Sequence, residues 1–209
     1  MQEVKKKYII VGYSGHSYVV LETILLLGYE IKGYMEHNII DKNPYGISYL
    51  GKGDKNHFSD KNHFFFVAIG NNHKRHQIAE KLRNDGIHTP NLIHPSSSIS
   101  KNISLGDGNF VARNAAVSDL CSFEDDIIIN TGSIVDHGCI ISSGVHLAPG
   151  SILCGDVQVG KNSFIGAGSV IKQGVKIGKN VTIGAGSVVL KNVPDSKLIY
   201  GNPAKQIDD

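Results

Sequence analysis

Polar and apolar positions repeat every six residues between Ile93 and Pro194, and no insertion breaks this register. The first place of each hexad is apolar in all seventeen repeats, although only 41% of the chain is hydrophobic. The fifth place holds a small or β-branched residue throughout, with Asn109 as the exception. A period of six matches neither the 3.6-residue helix nor simple strand alternation, and it is typical of a parallel β-helix.

Three hexads form one triangular coil in such a fold, so residue i stacks on residue i+18 at about 4.8 Å, the ordinary strand spacing. The seventeen hexads span 102 residues, which is about 5.7 coils of 18. Glycine-rich corners at residues 166–168 and 184–186 suit turns with unusual backbone angles. A short-stranded sandwich would need 8–12-residue spacing and variable loops, which this register does not show.

Several outward places of the repeat are also apolar. They are occupied by Leu120, Ile134, Ile140 and Phe164. Exposed apolar patches mark interaction sites, so we expect other subunits to cover these side chains. Proteins of this architecture are usually trimers with active sites between neighbours, and the resemblance in architecture implies a homotrimer here.

The first 90 residues carry no hexads and alternate between strand-like and helix-like segments. Predicted strands cover residues 8–11, 30–34 and 64–69, and predicted helices cover residues 18–27 and 73–84. This order indicates a compact Rossmann-like α/β unit with parallel strands. We therefore predict two domains, an α/β unit at residues 1–90 and an all-β β-helix at residues 91–209.

Composition narrows the classes of function. The net charge of +2 gives no reason to expect a nucleic-acid partner. No apolar run approaches 18 residues and no signal peptide is visible, which predicts a cytoplasmic protein without membrane insertion. Cys121, Cys139 and Cys154 lack C-x-x-C spacing, and we expect Cys121 and Cys139 to fill the β-helix interior rather than bind metal or form a disulfide.

Two loops of the α/β unit are candidates for a nucleotide-type ligand. The loop Gly12-Tyr-Ser-Gly-His16 follows a strand and opens a helix, where backbone N–H groups can hold a phosphate. It departs from G-x-G-x-x-G, so by itself it fits a tight structural turn equally well. Gly70 and Asn71 follow a later strand at the same rim, where open α/β sheets bind ligands, and the pair of loops favours the nucleotide.

Two histidines of the β-helix are candidates for chemistry. His137 occupies the third place of its hexad, which is a corner of the prism rather than its core. His146 lies nine residues later, half a coil away, so the two imidazoles cannot touch within one subunit. Across a trimer interface they could face the same groove.

The motifs together resemble the bacterial PglD/NeuD sugar acyltransferases. The resemblance covers the whole chain in order, and it rests on five segments: Gly12 to His16, residues 65–72, residues 91–94, Asn130-Thr through Asp136-His137, and the terminal Gly201-Asn-Pro-Ala-Lys205. Hexads alone would imply only the wider superfamily of left-handed β-helices. The resemblance implies a left-handed helix, acetyl-CoA as co-substrate, and acetylation of the 4-amino group of a UDP-linked 4-amino-4,6-dideoxy sugar.

The resemblance also implies roles for individual residues. His137 matches the catalytic base, and His146 and Gly155 match positions at the thioester and pantetheine of acetyl-CoA. Ala167 and Ala185 match positions further along the cofactor groove. The expected sugar-nucleotide contacts are Ser14, Gly15, His16, Glu36, His37, Gly70 and Asn71.

The chain departs from the family pattern at two places. Gly138 stands where relatives often carry an acidic residue that raises the basicity of the catalytic histidine. Asp136 could replace that residue only if the corner turns it inward, and Asp119, stacked one coil below His137, is another possible partner. Glu36-His37 replaces the paired acidic residues that meet uracil and ribose, which leaves the nucleotide open.

The implied mechanism uses His137 to take a proton from the attacking amine and the backbone amide of Gly155 to stabilise the oxyanion. No enzyme nucleophile is needed, because the thioester is already activated. The alternatives are O-acetylation of sialic acid or another capsule sugar, and a non-catalytic trimer that senses a nucleotide sugar.

Overall fold

The computed structural model describes residues 7–53 and 63–206. The N-terminal unit contains a three-stranded parallel sheet in the order β2-β1-β3, flanked by two helices. Its elements are β1 (Lys7–Val11), α1 (Gly15–Leu26), β2 (Glu30–Met35), β3 (His63–Val67) and α2 (Asn72–Asn84). The predicted α/β unit is confirmed, and α1 begins three residues earlier than the apolar pattern indicated.

Local signals explain where the two helices begin and end. The side chain of Asn71 caps α2 by accepting a hydrogen bond from the Lys74 N–H at 3.0 Å. Gly28 ends α1 with a φ of +76°, and its N–H donates to the Leu25 carbonyl at 3.0 Å. Since α1 follows β1 and α2 follows β3, both helices begin at the carboxyl edge of the sheet.

The C-terminal part is a left-handed parallel β-helix of about six turns, as the hexads and the resemblance predicted. Its rungs are two-residue strands that pair in register with the strand eighteen residues away, as Ile134 pairs with Ile152. The strands are β4 (Leu92–Ile93), β5 (Ser98–Ile99), β6 (Ser104–Leu105), β7 (Phe110–Val111), β8 (Ala116–Val117), β9 (Ser122–Phe123), β10 (Ile128–Ile129), β11 (Ile134–Val135), β12 (Ile140–Ile141), β13 (His146–Leu147), β14 (Ile152–Leu153), β15 (Gln158–Val159), β16 (Phe164–Ile165), β17 (Val170–Ile171), β18 (Lys176–Ile177), β19 (Thr182–Ile183) and β20 (Val188–Val189).

The three faces of the prism are three parallel sheets. One contains β4, β7, β10, β13, β16 and β19, the second runs from β5 to β20, and the third runs from β6 to β18. The chain ends in β21 (Leu198–Gly201) and β22 (Ala204–Gln206), which form an antiparallel pair and extend the first face.

The interior follows the repeat with two informative departures. First-place residues are buried from Val111 onward, but Ile93 is 37% exposed because it lies at the open end of the prism. Asn109, the misfit of the fifth place, is fully buried and satisfied. Its side-chain oxygen accepts from the Ile127 N–H at 2.7 Å, and its amide donates to the Glu124 carbonyl at 3.0 Å.

Two cysteines were predicted to fill the interior of the β-helix. Cys121 and Cys139 are buried inside the prism, and Cys154 is half-buried; all three are free thiols. This confirms the expected packing of the first two.

The N-terminal unit packs on the first face of the β-helix. Outward residues Leu92, Phe110 and Ile128 form one column, and they share a buried cluster with Val20 and Ile24 of α1. The column continues with His146, Phe164 and Thr182. The column therefore passes from a buried apolar core through the partly buried His146 and Phe164 to the exposed Thr182. The division near residue 90 stays a prediction, with α2 ending at Asn84 and β4 beginning at Leu92.

Candidate active site

His137 lies at the corner that follows β11. Its side chain is 54% exposed, and its Nδ1 lies 3.0 Å from the Asp136 Oδ1. The same oxygen accepts a hydrogen bond from the His137 backbone N–H at 2.8 Å, which holds the carboxylate beside the ring. The corner therefore turns Asp136 toward His137. Asp119 contributes only its backbone carbonyl, which accepts from the Gly138 N–H at 3.1 Å.

The carboxylate of Asp136 decides how His137 can act. With Asp136 ionised, the Nδ1–H of His137 donates to it, and Nε2 is left with its lone pair. Hydrogen bonding to Asp136 raises the pKa of His137, and the charges of Asp136, Asp156 and Cys121 add to this. The corner thus holds an exposed imidazole of increased basicity in one tautomer.

Gly155 lies directly against the His137 ring. A Cβ added at Gly155 would stand 2.5 Å from Cε1 and 2.6 Å from Nε2 of His137, which is closer than atoms can approach. Only glycine leaves room for the ring in this position. In the described part of the chain, the Gly155 N–H makes no backbone hydrogen bond. The predicted base and the predicted oxyanion donor are therefore neighbours in one protomer.

Exposed apolar side chains surround the His137 corner. Leu120 is 74% exposed, Ile140 is 48% exposed, and Ile134 is 43% exposed. Phe164, which the sequence placed in the same group, instead packs edge-on against His146 with ring centroids 5.1 Å apart. Three exposed apolar side chains thus lie near His137.

His146 begins β13 on the first face, away from the His137 corner. Its Nε2 lies 3.1 Å from the Asn130 side-chain amide nitrogen, and its ring centroid lies 6.2 Å from that of His16. Burial lowers the pKa of His146 to about 3, with smaller contributions from the charges of Arg75 and His16. His146 is therefore neutral at physiological pH.

The glycine loop and the second loop meet at the same edge. Ser14 and Gly15 are exposed at the start of α1, whereas burial lowers the pKa of His16 to about 4. Nε2 of His16 is buried and has no hydrogen-bond partner in the described chain. Such atoms are rare in folded proteins, so this one indicates a position that a ligand can complete.

Gly70 and Asn71 border a groove of about 250 Å³ between α2 and the β-helix. The groove is lined by Gly70, Asn71, Asn72, His73, Asn162, Phe164, Asn180 and Thr182. Its lining residue Phe164 packs against His146, whose ring centroid lies 6.2 Å from that of His16. The structure thus brings together the two predicted sugar-nucleotide loops and His146.

Glu36 and His37 follow β2 at the carboxyl edge of the sheet. Glu36 Oε2 lies 3.4 Å from the Tyr13 N–H nitrogen of the glycine loop, and Oε1 accepts from the His37 N–H at 2.9 Å. Rossmann-like sheets carry their acidic ribose anchor near this position. Glu36 therefore lies beside the glycine loop at this edge, while His37 is exposed.

Ala167 and Ala185 stack one coil apart at a different corner from His137, and both are exposed. The Ala167 carbonyl accepts from the Gly186 N–H at 2.8 Å. One chain therefore distributes the predicted acetyl-CoA residues over two corners and one face of the prism.

Sequence reasoning missed the buried polar cluster between the two units. Arg75 is 2% exposed and Asp126 is 1% exposed. Asp126 occupies the fourth place of its hexad with a φ of +59°. Neighbouring coils have glycine or asparagine at this place, and an aspartate there was the only signal in the sequence. Arg75 gave none, because a helical arginine usually faces solvent.

Within residues 7–53 and 63–206, no group of three or more His, Cys, Asp or Glu side chains could hold a metal ion. Neither described helix has the length and apolar character needed to cross a bilayer.

A parallel β-helix of six-residue repeats with an exposed histidine held by a carboxylate is typical of the hexapeptide-repeat acyltransferases. Comparisons with known proteins agree. Residues 7–82 match the PglD N-terminal domain, and residues 138–173 and 156–191 match the bacterial transferase hexapeptide (six repeats). No curated protein sequence matches the chain.

Solved structures give the particular family. The acetyltransferase domain of PglB from Neisseria gonorrhoeae FA1090, in complex with acetyl coenzyme A, is 32% identical with a TM-score of 0.92, over 97% of this chain and 100% of that one. A histidine-to-asparagine variant of perosamine N-acetyltransferase from Caulobacter crescentus, with CoA and GDP-perosamine, is 34% identical with a TM-score of 0.91, over 97% of both chains. The chain belongs to the PglD-type family of bacterial sugar acetyltransferases, which use acetyl-CoA. WeeI from Acinetobacter baumannii AYE, 23% identical over 96% of this chain and 99% of that one, with a TM-score of 0.87, shares the fold.

Proposed function

We propose that this protein transfers the acetyl group of acetyl-CoA to the 4-amino group of a nucleotide-linked 4-amino-4,6-dideoxy sugar, with His137 as general base. The observation that carries this proposal is the exposed His137 corner, where Asp136 orients the ring through Nδ1 and leaves Nε2 beside Gly155. A relative crystallised with CoA and GDP-perosamine supports the type of acceptor.

The proposed reaction balances without an enzyme-bound intermediate. The acceptor nitrogen attacks the thioester carbon, and the Nε2 of His137 takes the proton that the amine loses. The N–H of Gly155 donates to the oxyanion. The C–S bond then breaks, and the CoA thiolate takes the proton from the His137 imidazolium. General-base help of this kind is typically worth about 10²–10⁴ in rate.

A homotrimer would complete the site. In one chain His137 and Gly155 occupy one corner, whereas Ala167 and Ala185 occupy another and His146 lies on a face between corners. The exposed Leu120, Ile134 and Ile140 around His137 favour contact with a second copy at that corner. We propose that acetyl-CoA lies in this cleft, with its thioester near His137 of one protomer and His146 of the next.

The nucleotide sugar is proposed to bind at the rim formed by Ser14, Gly15, His16, Gly70 and Asn71, with Glu36 on the ribose and His37 beside it. The buried, unpartnered Nε2 of His16 supports a ligand at this rim. The resemblance favours UDP, whereas the relative named above was crystallised with GDP-perosamine. A panel of sugars linked to different nucleotides is therefore needed to identify the nucleotide.

The test is release of free CoA from acetyl-CoA in the presence of UDP-, GDP- and dTDP-linked 4-amino sugars. We expect turnover with one of them, and loss of about 10²–10⁴ in kcat for His137→Ala with binding of both substrates retained. Near-normal turnover by that variant would show that the base is wrongly assigned. Binding of a nucleotide sugar without CoA release by the wild type would instead favour the non-catalytic sensor.

O-acetylation of sialic acid or another capsule sugar is the second candidate, and the Asp136 contact favours it. An alcohol needs a stronger base than an amine, and the raised pKa of His137 moves in that direction. CoA release with CMP-sialic acid or sialic acid, and none with amino sugars, would select this alternative.

A further inference from the structure

Arg75 lies in the contact between α2 and the β-helix, where its side chain is almost completely buried. Its three nitrogens donate to five backbone carbonyls and one side-chain amide oxygen, those of Ile69, Gly70, Asp126, Gly144, Val145 and Asn72. A guanidinium has five N–H groups in a fixed planar fork. This set of acceptors therefore satisfies Arg75 completely and fixes its orientation.

These acceptors belong to segments that carry site residues. Nη1 donates to the carbonyls of Ile69 at 3.1 Å and Gly70 at 3.2 Å, in the loop that follows β3. Nη2 donates to the carbonyls of Gly144 at 2.7 Å and Val145 at 3.3 Å, directly before His146. A single side chain thus ties the second sugar-nucleotide loop to the backbone that leads into His146.

A second arginine of α2 separates positioning from simple attachment. Arg83 makes two 2.7 Å hydrogen bonds to the carboxylate of Asp126, and it also contacts Thr89. It therefore attaches α2 to the β-helix without touching the Gly70 loop or the segment before His146. Burying a cation is costly unless it is hydrogen-bonded, and Arg83 already supplies a charge-paired anchor. The Nη1 and Nη2 atoms of Arg75 instead bind the Gly70 loop and the segment before His146.

The charge of Arg75 also reaches the two buried imidazoles at this edge. After burial itself, the charge of Arg75 is the next cause that lowers the pKa of both His16 and His146. Both rings are consequently neutral at physiological pH, so each has one donor and one acceptor nitrogen.

We propose that Arg75 is a positioning residue for acetyl transfer: it holds the Gly70 loop against the segment that carries His146, and so sets where the sugar amine lies relative to the thioester. This rests on the proposed function. Misplacement of reacting groups by about 1 Å can cost about 10²-fold in rate. The effect should therefore appear in turnover rather than in folding.

The experiment compares Arg75→Lys with the matched control Arg83→Lys in the full-length protein. For Arg75→Lys we expect kcat/KM for the nucleotide amino sugar to fall about 10²-fold, while the Kd of acetyl-CoA stays unchanged by calorimetry. Hydrogen exchange should accelerate together in residues 68–72 and 144–147. For Arg83→Lys we expect a lower melting temperature with unchanged kcat/KM and unchanged exchange in those two segments.

Unchanged kcat/KM and unchanged hydrogen exchange in Arg75→Lys would overturn the proposal. So would equal losses of kcat/KM in both variants that parallel the decreases in their melting temperatures. If Arg75→Lys does not fold, Arg75→Gln, which keeps a hydrogen-bonding amide, takes its place in the same comparison. A wild type that acetylates no amino sugar would refute the proposed function alone. Coupled loosening of the two segments in the Arg75 variant would still decide whether Arg75 holds them together.

Discussion

At the scale of single residues, the base of the proposed reaction depends on a carboxylate from an unexpected position. The resemblance indicated an acidic residue after the histidine, but Gly138 stands there with a φ of +69°. Asp136 approaches from the preceding position because the His137 N–H and Nδ1 both bind its Oδ1. Sequence could supply both candidates, Asp136 and Asp119, but only corner geometry distinguishes them.

Replacing Asp136 by Asn should move the pH profile of acetyl transfer in a defined direction. The base must be deprotonated, so kcat/KM rises as the pH increases through the pKa of His137. Asp136 raises that pKa, and its removal lowers it, so the acidic limb should shift to lower pH while maximal kcat falls. If the acidic limb of the pH profile does not move in Asp136→Asn, His137 is not the titrating base. Asp119→Asn is the matched control, and we expect no shift of its pH profile.

Gly155→Ala should inactivate the enzyme without unfolding it. The new Cβ would stand 2.5 Å from the His137 ring, so the imidazole must move away from the thioester position. A displaced base forfeits its contribution, about 10²–10⁴ in kcat. The melting temperature should stay near that of the wild type. Gln173→Ala, on the next rung of the same corner, is the control and should keep its melting temperature and its activity. Normal turnover by Gly155→Ala would contradict the placement of His137.

At the scale of elements, the six-residue period was sufficient to predict the strands, their stacking and the buried positions, because every hexad packs its first and fifth residues into the interior in the same way. The α/β unit was predictable from alternating apolar runs, with helix starts shifted by a few residues. The contact between the units was not, since Arg75 and Asp126 become neighbours only when α2 docks on the prism. No local pattern encodes that docking.

Asn109→Val should destabilise the β-helix although valine fits the fifth-place rule. The change leaves the Ile127 N–H and the Glu124 carbonyl without their partner, and a buried unsatisfied group costs about 1–3 kcal/mol. Urea unfolding at fixed protein concentration measures the loss. Ser151→Ala is the control, because the Ser151 hydroxyl only reaches Ser133 at 3.4 Å, and its change in free energy of unfolding should be smaller. Equal losses would contradict the assigned role of Asn109.

At the scale of the whole molecule, the predicted site residues lie in two separate places on the prism and do not form one site within a single chain. The N-terminal unit unites His16, Gly70 and His146, whereas His137 lies at a corner flanked by exposed apolar residues. Sequence indicated this division from the half-coil separation of the two histidines. It could not show that the rim and His146 meet within one protomer.

Charging the apolar surface at the His137 corner should dissociate the proposed trimer. The double variant Ile134→Lys and Ile140→Lys places two cations where we expect a subunit contact, and burial of unpaired charge is strongly unfavourable. Sedimentation should show a monomer with little turnover. Ile39→Lys, at a residue 66% exposed on the N-terminal unit, is the control and should stay assembled and active. A trimeric, active double variant would remove this corner from the interface.

The in-register stacking of rungs restricts how the length of this protein can change. Each rung pairs with the one eighteen residues away, as Val135 does with Leu153, so a gain or loss of one hexad would rotate everything beyond it by a third of a turn. Beyond such a change, a side chain that faced the N-terminal unit would face solvent. Related chains of different length should therefore differ by whole coils of eighteen residues, added or removed beyond the rungs that carry His137, His146 and Gly155.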